Sequence, residues 1–185
     1  MDLKTAQGAI TALRKRATFE AAYNSYAAGH DSKHRESARA YSYNHAGNSG
    51  NEPAGYYQKV KLVENPEGKI VMDVKGLDGA APVKKSYSQD ETDLSIADEK
   101  NMLFAALGKL GGFYAHPNAQ RFHYAVLIPA GYAGRLFRGG GKVYPKIADQ
   151  VTAMVIVVAK GRSNFQIVTH YPETVARAQA MTALT

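Results

Sequence analysis

VTAMVIVVAKGRSNFQIVTHYP, residues 151–172, is the most apolar and most strand-like run in the chain. Its first part, residues 151–159, is continuously apolar and rich in β-branched side chains, which predicts a strand covered on both faces. The turn formers in residues 160–164 then lead into a second strand, residues 165–170. We therefore expect a hairpin in the middle of a sheet, followed by a short closing helix with Pro172 in its first turn.

Helical periodicity occurs twice before this hairpin. Residues 3–28 predict an N-terminal helix with apolar side chains at intervals of three and four. This apolar stripe comprises Ala6, Ile10, Leu13, Ala17 and Ala21. Residues 95–98, SIAD, resemble a capping box and open a second helix, whose stripe runs to Leu110 before Gly111 and Gly112 end it. We expect this central helix to pack across the sheet.

Alternation of apolar and polar side chains predicts the other strands. Residues 55–74 alternate on either side of a turn that contains proline and glycine, as in a β-hairpin. Residues 121–128, RFHYAVLI, predict a strand whose even-numbered and odd-numbered side chains face opposite ways. We interpret residues 113–120 as a connector and residues 136–137 as a short additional strand.

Together these elements predict an α+β fold. It has an N-terminal helix and hairpin, a central helix packed on a mainly antiparallel sheet, and a short C-terminal helix. We divide the chain into residues 1–54, a helical segment either separate or part of the same domain, and residues 55–185, an α+β domain. The chain has no cysteine, no apolar run of membrane-spanning length and no signal-peptide-like start, so we expect neither a disulfide nor a membrane span.

Positive charge is concentrated in the second part of the chain. Residues 1–111 contain 15 Lys and Arg against 14 Asp and Glu, a balance of +1. Residues 112–185 contain 8 against 2, a balance of +6, out of a net charge of +7 for the whole chain. Such an asymmetry favours a polyanionic partner, of which a nucleic acid is the simplest.

Polar side chains gather at the end of the last predicted strand. Thr169, His170 and Tyr171 place an imidazole between two hydroxyls, and alternation predicts that Gln166 and His170 face a cleft together. Attack of an RNA 2′-hydroxyl on its own phosphodiester requires a base, an acid and a stabilising cation, which His, Tyr, Arg and Lys supply without a metal. His123 is the other histidine of the basic part, and we expect it beside His170 if their strands are neighbours.

A basic glycine-rich loop is the second candidate feature. In RGGGK, residues 138–142, the glycine amides can approach a phosphate while Arg138 and Lys142 neutralise it. The loop does not match the P-loop pattern. Arg121 and Arg135 are further cations predicted to bind substrate. Because the last 74 residues contain only two carboxylates, we predict no metal ion and no cofactor.

The succession of a basic glycine-containing segment, an apolar strand, a turn and the ending FQIVTHYP resembles small metal-independent ribonuclease toxins of the barnase, EndoU and colicin-like (BECR) fold. The resemblance implies a helix packed on an antiparallel sheet, with active residues on the concave face. It places Thr169, His170 and Tyr171 at the catalytic strand end, and Arg138 and Lys142 at the phosphate. The chain departs from EndoU proteins in having His170 where alanine usually precedes Tyr-Pro, and in lacking a preceding His-and-Lys pattern.

What the resemblance implies is a metal-independent endoribonuclease toxin that cleaves tRNA or rRNA by 2′-hydroxyl attack. Such a protein is the C-terminal module of a larger toxin in bacterial competition, secreted or delivered to the target-cell cytoplasm. It implies RNA as the substrate and an acidic immunity protein as the partner that blocks a basic cleft.

Two alternatives remain open from the sequence. Residues 136–139, LFRG, resemble the arginine strand of ADP-ribosyltransferase-like toxins, with Glu173 as the catalytic acid. The other alternative is a basic RNA-binding domain without catalysis, in which the histidines have no chemical role.

Overall fold

The computed structural model describes residues 1–28, 54–59, 61–64, 66–67, 70–73, 96–137 and 148–185, with side chains described for 1–28, 66–67, 97–134 and 151–185. The described helices are α1 Leu3–Leu13, α2 Arg16–Ala28, α3 Ile96–Leu107 and α4 Val175–Gln179. The described strands are β1 Ala54–Lys59, β2 Lys61–Glu64, β3 Ile70–Asp73, β4 Gly112–Ala115, β5 Arg121–Leu127, β6 Tyr132–Phe137, β7 Ala148–Val151, β8 Ala153–Lys160 and β9 Phe165–Glu173. The α+β class predicted from the sequence is confirmed.

A four-stranded antiparallel sheet organises these elements, in the order β4-β5-β8-β9. The apolar run opened by Ala153 is β8, and six successive residues, 153–158, are buried in it. This confirms the predicted strand with both faces covered from Ala153 onward, since a strand between two neighbours and two layers exposes neither side. Val151, where the prediction began, instead ends β7. The second strand of the hairpin, β9, lies at the edge of this sheet and not in its middle.

Helices α1, α2 and α3 cover one face of the sheet, which we call the inner face. The side chains that β5 and β8 send into this core are Phe122, Tyr124, Val126, Met154, Ile156 and Val158. The helices contribute Ala6, Ala9, Ile10, Leu13, Phe19, Ala22, Tyr23, Tyr26, Met102, Leu103, Ala106 and Leu107 to the same cluster. The central helix thus packs across the sheet as predicted, and the two N-terminal helices share one core with it. Each large side chain buried here stabilises the fold by roughly 1.5–3 kcal/mol.

The N-terminal helical pattern forms two helices and not one. The helix is interrupted at Arg14 and Lys15, and the buried face of α2 is therefore shifted relative to that of α1. Phe19 and Tyr23 are buried in α2, whereas Ala17 and Ala21 of the predicted stripe are exposed. Arg14 explains the break, because its guanidinium donates to the carbonyls of Leu107 at 2.7 Å and Lys109 at 3.0 Å. Leu107 is the last residue of α3 and Lys109 follows it, and a cation is favourable at the C-terminal end of a helix. The Lys109 carbonyl also accepts a hydrogen bond from the Tyr124 hydroxyl.

The predicted connector before β5 is wrong in its first half. Residues 112–115 form β4, which pairs antiparallel with β5 in the register Tyr114 opposite His123. Two glycines bring this strand close to its surroundings. A Cβ on Gly111 would lie 2.5 Å from the Ala125 carbonyl oxygen, so only a glycine fits there.

The predicted end of the chain also differs from the structure. Strand β9 continues through Pro172 to Glu173, and the helix expected over residues 173–182 is reduced to α4, with Thr174 as its N-cap. Proline is tolerated in β9 because β9 is an edge strand of its sheet. Helix α4 folds back on the face opposite the inner face, where Ala178 packs on Ala125, Ala153 and Val155. We call this second face the outer face.

Two smaller β structures complete the described residues. Strands β2 and β3 form the antiparallel hairpin predicted between residues 55 and 74. The first strand predicted there is divided into β1 and β2, and β1 pairs with β6 in a sheet of order β1-β6-β7. The short strand expected at residues 136–137 is the end of β6.

Candidate functional site

The candidate site lies on the outer face, at the end of the sheet that α4 leaves open. Because Phe122 and Tyr124 are buried under the helices, the alternating residues of β5, Arg121 and His123, face outward. This confirms the predicted division of residues 121–128 between two faces. Both side chains are partly exposed.

His123 is held in one tautomer by the neighbouring strand. Its Nδ1 lies 3.1 Å from the carbonyl oxygen of Ala115. A carbonyl oxygen only accepts, so Nδ1 carries the proton and Nε2 carries the lone pair of the neutral ring. The neutral imidazole is therefore prepared to accept a proton at Nε2.

His116, which the sequence pattern did not single out, lies beside His123 and becomes a candidate site residue. Its ring lies 4.8 Å from that of His123, centroid to centroid. Its Nδ1 accepts a hydrogen bond of 2.8 Å from the backbone N–H of Asn118, so in the neutral ring the proton is on Nε2. The signal was available in the sequence: the four residues 117–120 are a hairpin loop, which places His116 opposite the start of β5.

Both imidazoles are easier to deprotonate than an ordinary histidine. Burial lowers the pKa of His123 from the usual 6.5. Burial also lowers the pKa of His116, and the nearby His123 and Arg121 lower it further by charge repulsion. Since the rings are neighbours, their titrations belong to the pair. The pair is mainly neutral at pH 7 and takes its first proton on the acidic side of 6.5.

The β9 side of the site is set by a β-bulge. Val157 of β8 pairs with Thr169 and Val158 pairs with Ile167, so Val168 is an extra residue in β9. Thr169 consequently lies on the outer face in the same row as Val157 and His123. One strand separates β5 from β9, so His123 and Thr169 stand roughly 10 Å apart across the sheet.

Arg121 and Gln166 form the next row outward on the same face. Arg121 pairs with Ala159 of β8, and Ala159 pairs with Gln166 of β9. Gln166 is exposed. These two rows give the open end of the outer face a cation, an amide, an imidazole and a hydroxyl around a floor of small apolar side chains.

His170 is not at this site, and the predicted cleft that it shares with Gln166 is wrong. The bulge reverses the alternation after Ile167, so His170 points to the inner face opposite Ile156, where it is 8% exposed. Its Nε2 lies 3.8 Å from a carboxylate oxygen of Glu99, and its ring centroid lies 6.1 Å from that of Tyr26. The imidazole is part of the interior between β9 and the helices.

Glu99 joins this interior cluster to helix α2. Its second carboxylate oxygen accepts a 3.2 Å hydrogen bond from the Tyr23 hydroxyl. The cluster therefore connects α2, α3 and β9 beneath the inner face. The expectation that His123 lies beside His170 is also wrong, because β8 separates their strands and the two rings are on opposite faces.

Tyr171 returns to the outer face but is mostly covered. It packs against the cluster of Ala125, Val155 and Ala178 beneath α4. Burial, and then the nearby charge of Glu173, raises the pKa of Tyr171 to about 12. Its phenol stays protonated at neutral pH and acts as a hydrogen-bond donor or acceptor, not as a base.

The other predicted cations are not placed at the site. Arg135 lies in β6 between Tyr56 and Gln150, and its side chain is outside the described part of the chain. Arg138 and Lys142 lie outside the described residues altogether. Glu173 accepts a hydrogen bond from the Thr174 backbone N–H and lies 3.9 Å from Arg177, so it stabilises the start of α4.

The described residues contain no cluster of three or more His, Asp or Glu side chains that could hold a metal ion. Within the same residues, no helix is both long and apolar enough to cross a bilayer. Comparison with known proteins found no matching family model, no matching curated protein and no matching solved structure. The candidate site therefore rests on the geometry of this chain alone.

Proposed function

We propose that the open end of the outer face binds RNA and cleaves it without a metal ion, by attack of a 2′-hydroxyl on the adjacent phosphodiester. The observation that carries the proposal is the histidine pair. His123 carries a lone pair on Nε2, and His116 lies 4.8 Å away beside the cation Arg121. Two imidazoles and a guanidinium are the groups that this reaction requires.

The role of His123 follows from its tautomer, and the role of the acid goes to His116 as the neighbouring imidazole. His123 in its neutral form takes the 2′-hydroxyl proton at Nε2 while the oxygen attacks phosphorus. Protonation of His116 at Nδ1 releases the Asn118 N–H, and the ring then gives its Nε2 proton to the departing 5′-oxygen. Arg121 stabilises the extra negative charge on the phosphorane. The products are a 2′,3′-cyclic phosphate and a free 5′-hydroxyl, and the pair has moved one proton from His116 to His123.

Thr169 and Gln166 bind the substrate in this proposal and do not transfer protons. A hydroxyl and an amide across the groove from His123 and Arg121 can hydrogen-bond ribose and phosphate oxygens. Tyr171 supports this row from beneath α4. His170 has a structural role in this proposal and not a catalytic one, because its ring faces the interior.

The test is incubation of the purified chain with total RNA in EDTA. Cleavage to 2′,3′-cyclic ends by the wild type, and its loss in His123→Gln, supports the proposal. Retention of RNA without cleavage would favour the binding domain, and NAD-dependent labelling would favour the ADP-ribosyltransferase. Lys15→Gln, a change on the helical side of the molecule, is the control and keeps full activity.

The toxin setting is an extension of the same proposal. Its support is the +6 balance of the last 74 residues, which suits both RNA and an acidic inhibitor. Expression of the wild type in the cytoplasm of bacteria is expected to arrest growth and degrade tRNA or rRNA. Expression of His123→Gln to the same level is expected to permit growth, and equal arrest by both proteins would count against RNA cleavage as the cause.

A further inference from the structure

An apolar pocket opens on the outer face beside the histidine pair. It has a volume of about 210 Å³ and lies between α4, β4 and β5. Its lining comprises Leu110, Gly112, Tyr114, Ala125, Val126, Leu127, Ala153, Val175, Ala178 and Gln179. The volume is below the roughly 300–1,000 Å³ of sites for drug-sized ligands, so the pocket suits a single flat ring system.

Exposed apolar side chains are concentrated at this pocket. Among the residues whose side chains are described, the large hydrophobic ones that are exposed are Leu110 at 94%, Leu127 at 56% and Val175 at 37%. All three line the pocket. Exposed apolar side chains gathered at one place indicate a binding site more than scattered ones do.

The pocket is continuous with the proposed catalytic groups. Tyr114, which forms one wall, is the direct cross-strand partner of His123, so their Cβ atoms are roughly 5 Å apart. Ala125 in the pocket floor lies two residues along β5 from His123, roughly 7 Å away. A nucleotide whose phosphate lies at His123 can therefore place its base in the pocket.

The ring of Tyr114 is positioned by the strand that carries it. The ring of Tyr114 lies over Gly112, where even a single Cβ would come within 2.5 Å of the ring. Gly112 thus allows the ring to lie along the strand. A fixed aromatic ring is the usual platform on which proteins stack an unpaired base. The amide of Gln179, at the end of α4, is a donor and acceptor for a base edge.

From these observations we infer that the apolar pocket binds one unpaired nucleobase of the RNA, next to the phosphate that is cleaved. The inference rests on the proposed RNA cleavage and adds the substrate class. The substrate is single-stranded at this position, because a base that is paired and stacked inside a duplex has no free face to place on Tyr114. Tyr114 supplies the stacking surface, and Gln179 selects among bases.

The direct test is titration of 2′-O-methyl dinucleotides, which cannot be cleaved, into the whole chain with ¹³C-labelled alanine methyl groups. Signals of Ala125, Ala153 and Ala178 are expected to shift, while those of Ala6 and Ala9, in the core with the helices, stay in place. The Tyr114→Leu variant is expected to weaken dinucleotide binding roughly 5- to 150-fold, the range that stacking of one base spans. Tyr114→Phe keeps the ring and is expected to bind nearly as well as the wild type.

A second variant tests the pocket from α4, so that the result does not depend on a substitution in β4. Gln179→Ala is an exposed change at the end of a short helix, and it is expected to narrow the difference in KM between the best and worst dinucleotide substrates while kcat is retained. Gln7→Ala, an exposed glutamine on α1, is the control and leaves the preference unchanged.

The outcomes separate the pocket from the catalysis. Cleavage of RNA without shifts at Ala125, Ala153 and Ala178 overturns the pocket and leaves the proposed function standing. Shifts at these alanines without any cleavage support the pocket and withdraw the ribonuclease. Equal shifts with an abasic ribose phosphate, or broadening of these signals as the chain itself is concentrated, overturn the nucleobase as the occupant.

Discussion

His123 depends for its chemistry on one backbone carbonyl. The Ala115 carbonyl accepts the Nδ1 hydrogen bond and leaves Nε2 as the acceptor, while burial lowers the pKa of the ring and so favours its neutral form. His116 depends on the opposite arrangement, because a backbone N–H occupies its Nδ1. Two histidines on one hairpin therefore differ in tautomer through local hydrogen bonds alone.

The pH profile of cleavage tests these two roles. The base must be neutral and the acid protonated, so kcat/KM is expected to show a bell-shaped dependence on pH. Both limbs of this profile should lie below pH 6.5, because the pKa values of His116 and His123 are both lowered. Either His123→Gln or His116→Gln is expected to reduce kcat/KM about 100- to 10,000-fold. An optimum above pH 7 in the wild type would contradict the assignment.

The pH dependence of the free energy of unfolding is expected to reflect the same two histidines. Their pKa is lower in the folded chain than the usual 6.5, so the unfolded chain binds more protons between the folded values and 6.5. The free energy of unfolding, measured with urea, should therefore fall as pH drops below 6.5. The decline should be shallower in His123→Gln, and an unchanged decline would mean that other groups cause it.

Among the elements, β9 owes its two faces to the bulge at Val168. Before the bulge the inner-face residue is Ile167, and after it the inner-face residues are His170 and Pro172. One extra residue thus moves Thr169 to the site and His170 to the core. Helix α4 then covers Tyr171 and leaves the other end of the outer face open.

Two adjacent substitutions test this arrangement. His170→Ala removes a ring that is 8% exposed and takes one partner from the partly buried carboxylate of Glu99, so it should lower the free energy of unfolding by about 2 kcal/mol. Thr169→Ala should change it by less than about 1 kcal/mol and reduce cleavage instead. Both are read from urea unfolding together with RNA cleavage. A stable, inactive His170→Ala protein would restore His170 to the site.

Alanine substitutions at two glycines, one inside α1 and one just before β4, are expected to change stability in opposite directions. Gly8 lies inside α1 with nothing within 4 Å of an added Cβ, so Gly8→Ala should raise the free energy of unfolding by about 0.5–1 kcal/mol. Gly111→Ala places its Cβ against the Ala125 carbonyl and the Tyr124 ring, and should lower it by about 1–3 kcal/mol. Thermal unfolding of the two variants checks the signs. Equal shifts in Tm would show that the approach of β4 to β5 is not tight.

For the whole molecule, the two faces of the four-stranded sheet have different roles. The inner face holds the core with α1, α2 and α3, and within the described residues α4 covers one end of the outer face and leaves the end at Arg121 uncovered. A basic molecule with one open polar face can attract a polyanion over its surface and orient it there.

Arg121 is expected to contribute to binding through charge. Arg121→Gln should weaken the binding of a non-cleavable single-stranded RNA and make the slope of log K against log salt shallower by about 0.7, the value for one phosphate contact. Lys15→Gln removes the same charge on the helical side and should leave the slope unchanged. Fluorescence anisotropy over a series of salt concentrations measures both. A slope that changes equally in the two variants would mean that only net charge matters.

Local sequence patterns are enough to assign helices and strands in most of the described chain. Residues 153–158 are apolar at every position and became the doubly covered strand, and the alternation in residues 121–127 placed Arg121 and His123 on the outer face. These results follow from local periodicity, which a chain segment carries within itself.

The composition of the candidate site depends on how the strands pair. The alternation of FQIVTHYP predicts His170 beside Gln166, but pairing with β8 absorbs Val168 in a bulge and sends His170 into the core. His116 joined His123 only when residues 112–115 paired as β4. Register is a property of two strands together, and a shift of one residue exchanges the faces, so no pattern within a single segment could have placed these side chains.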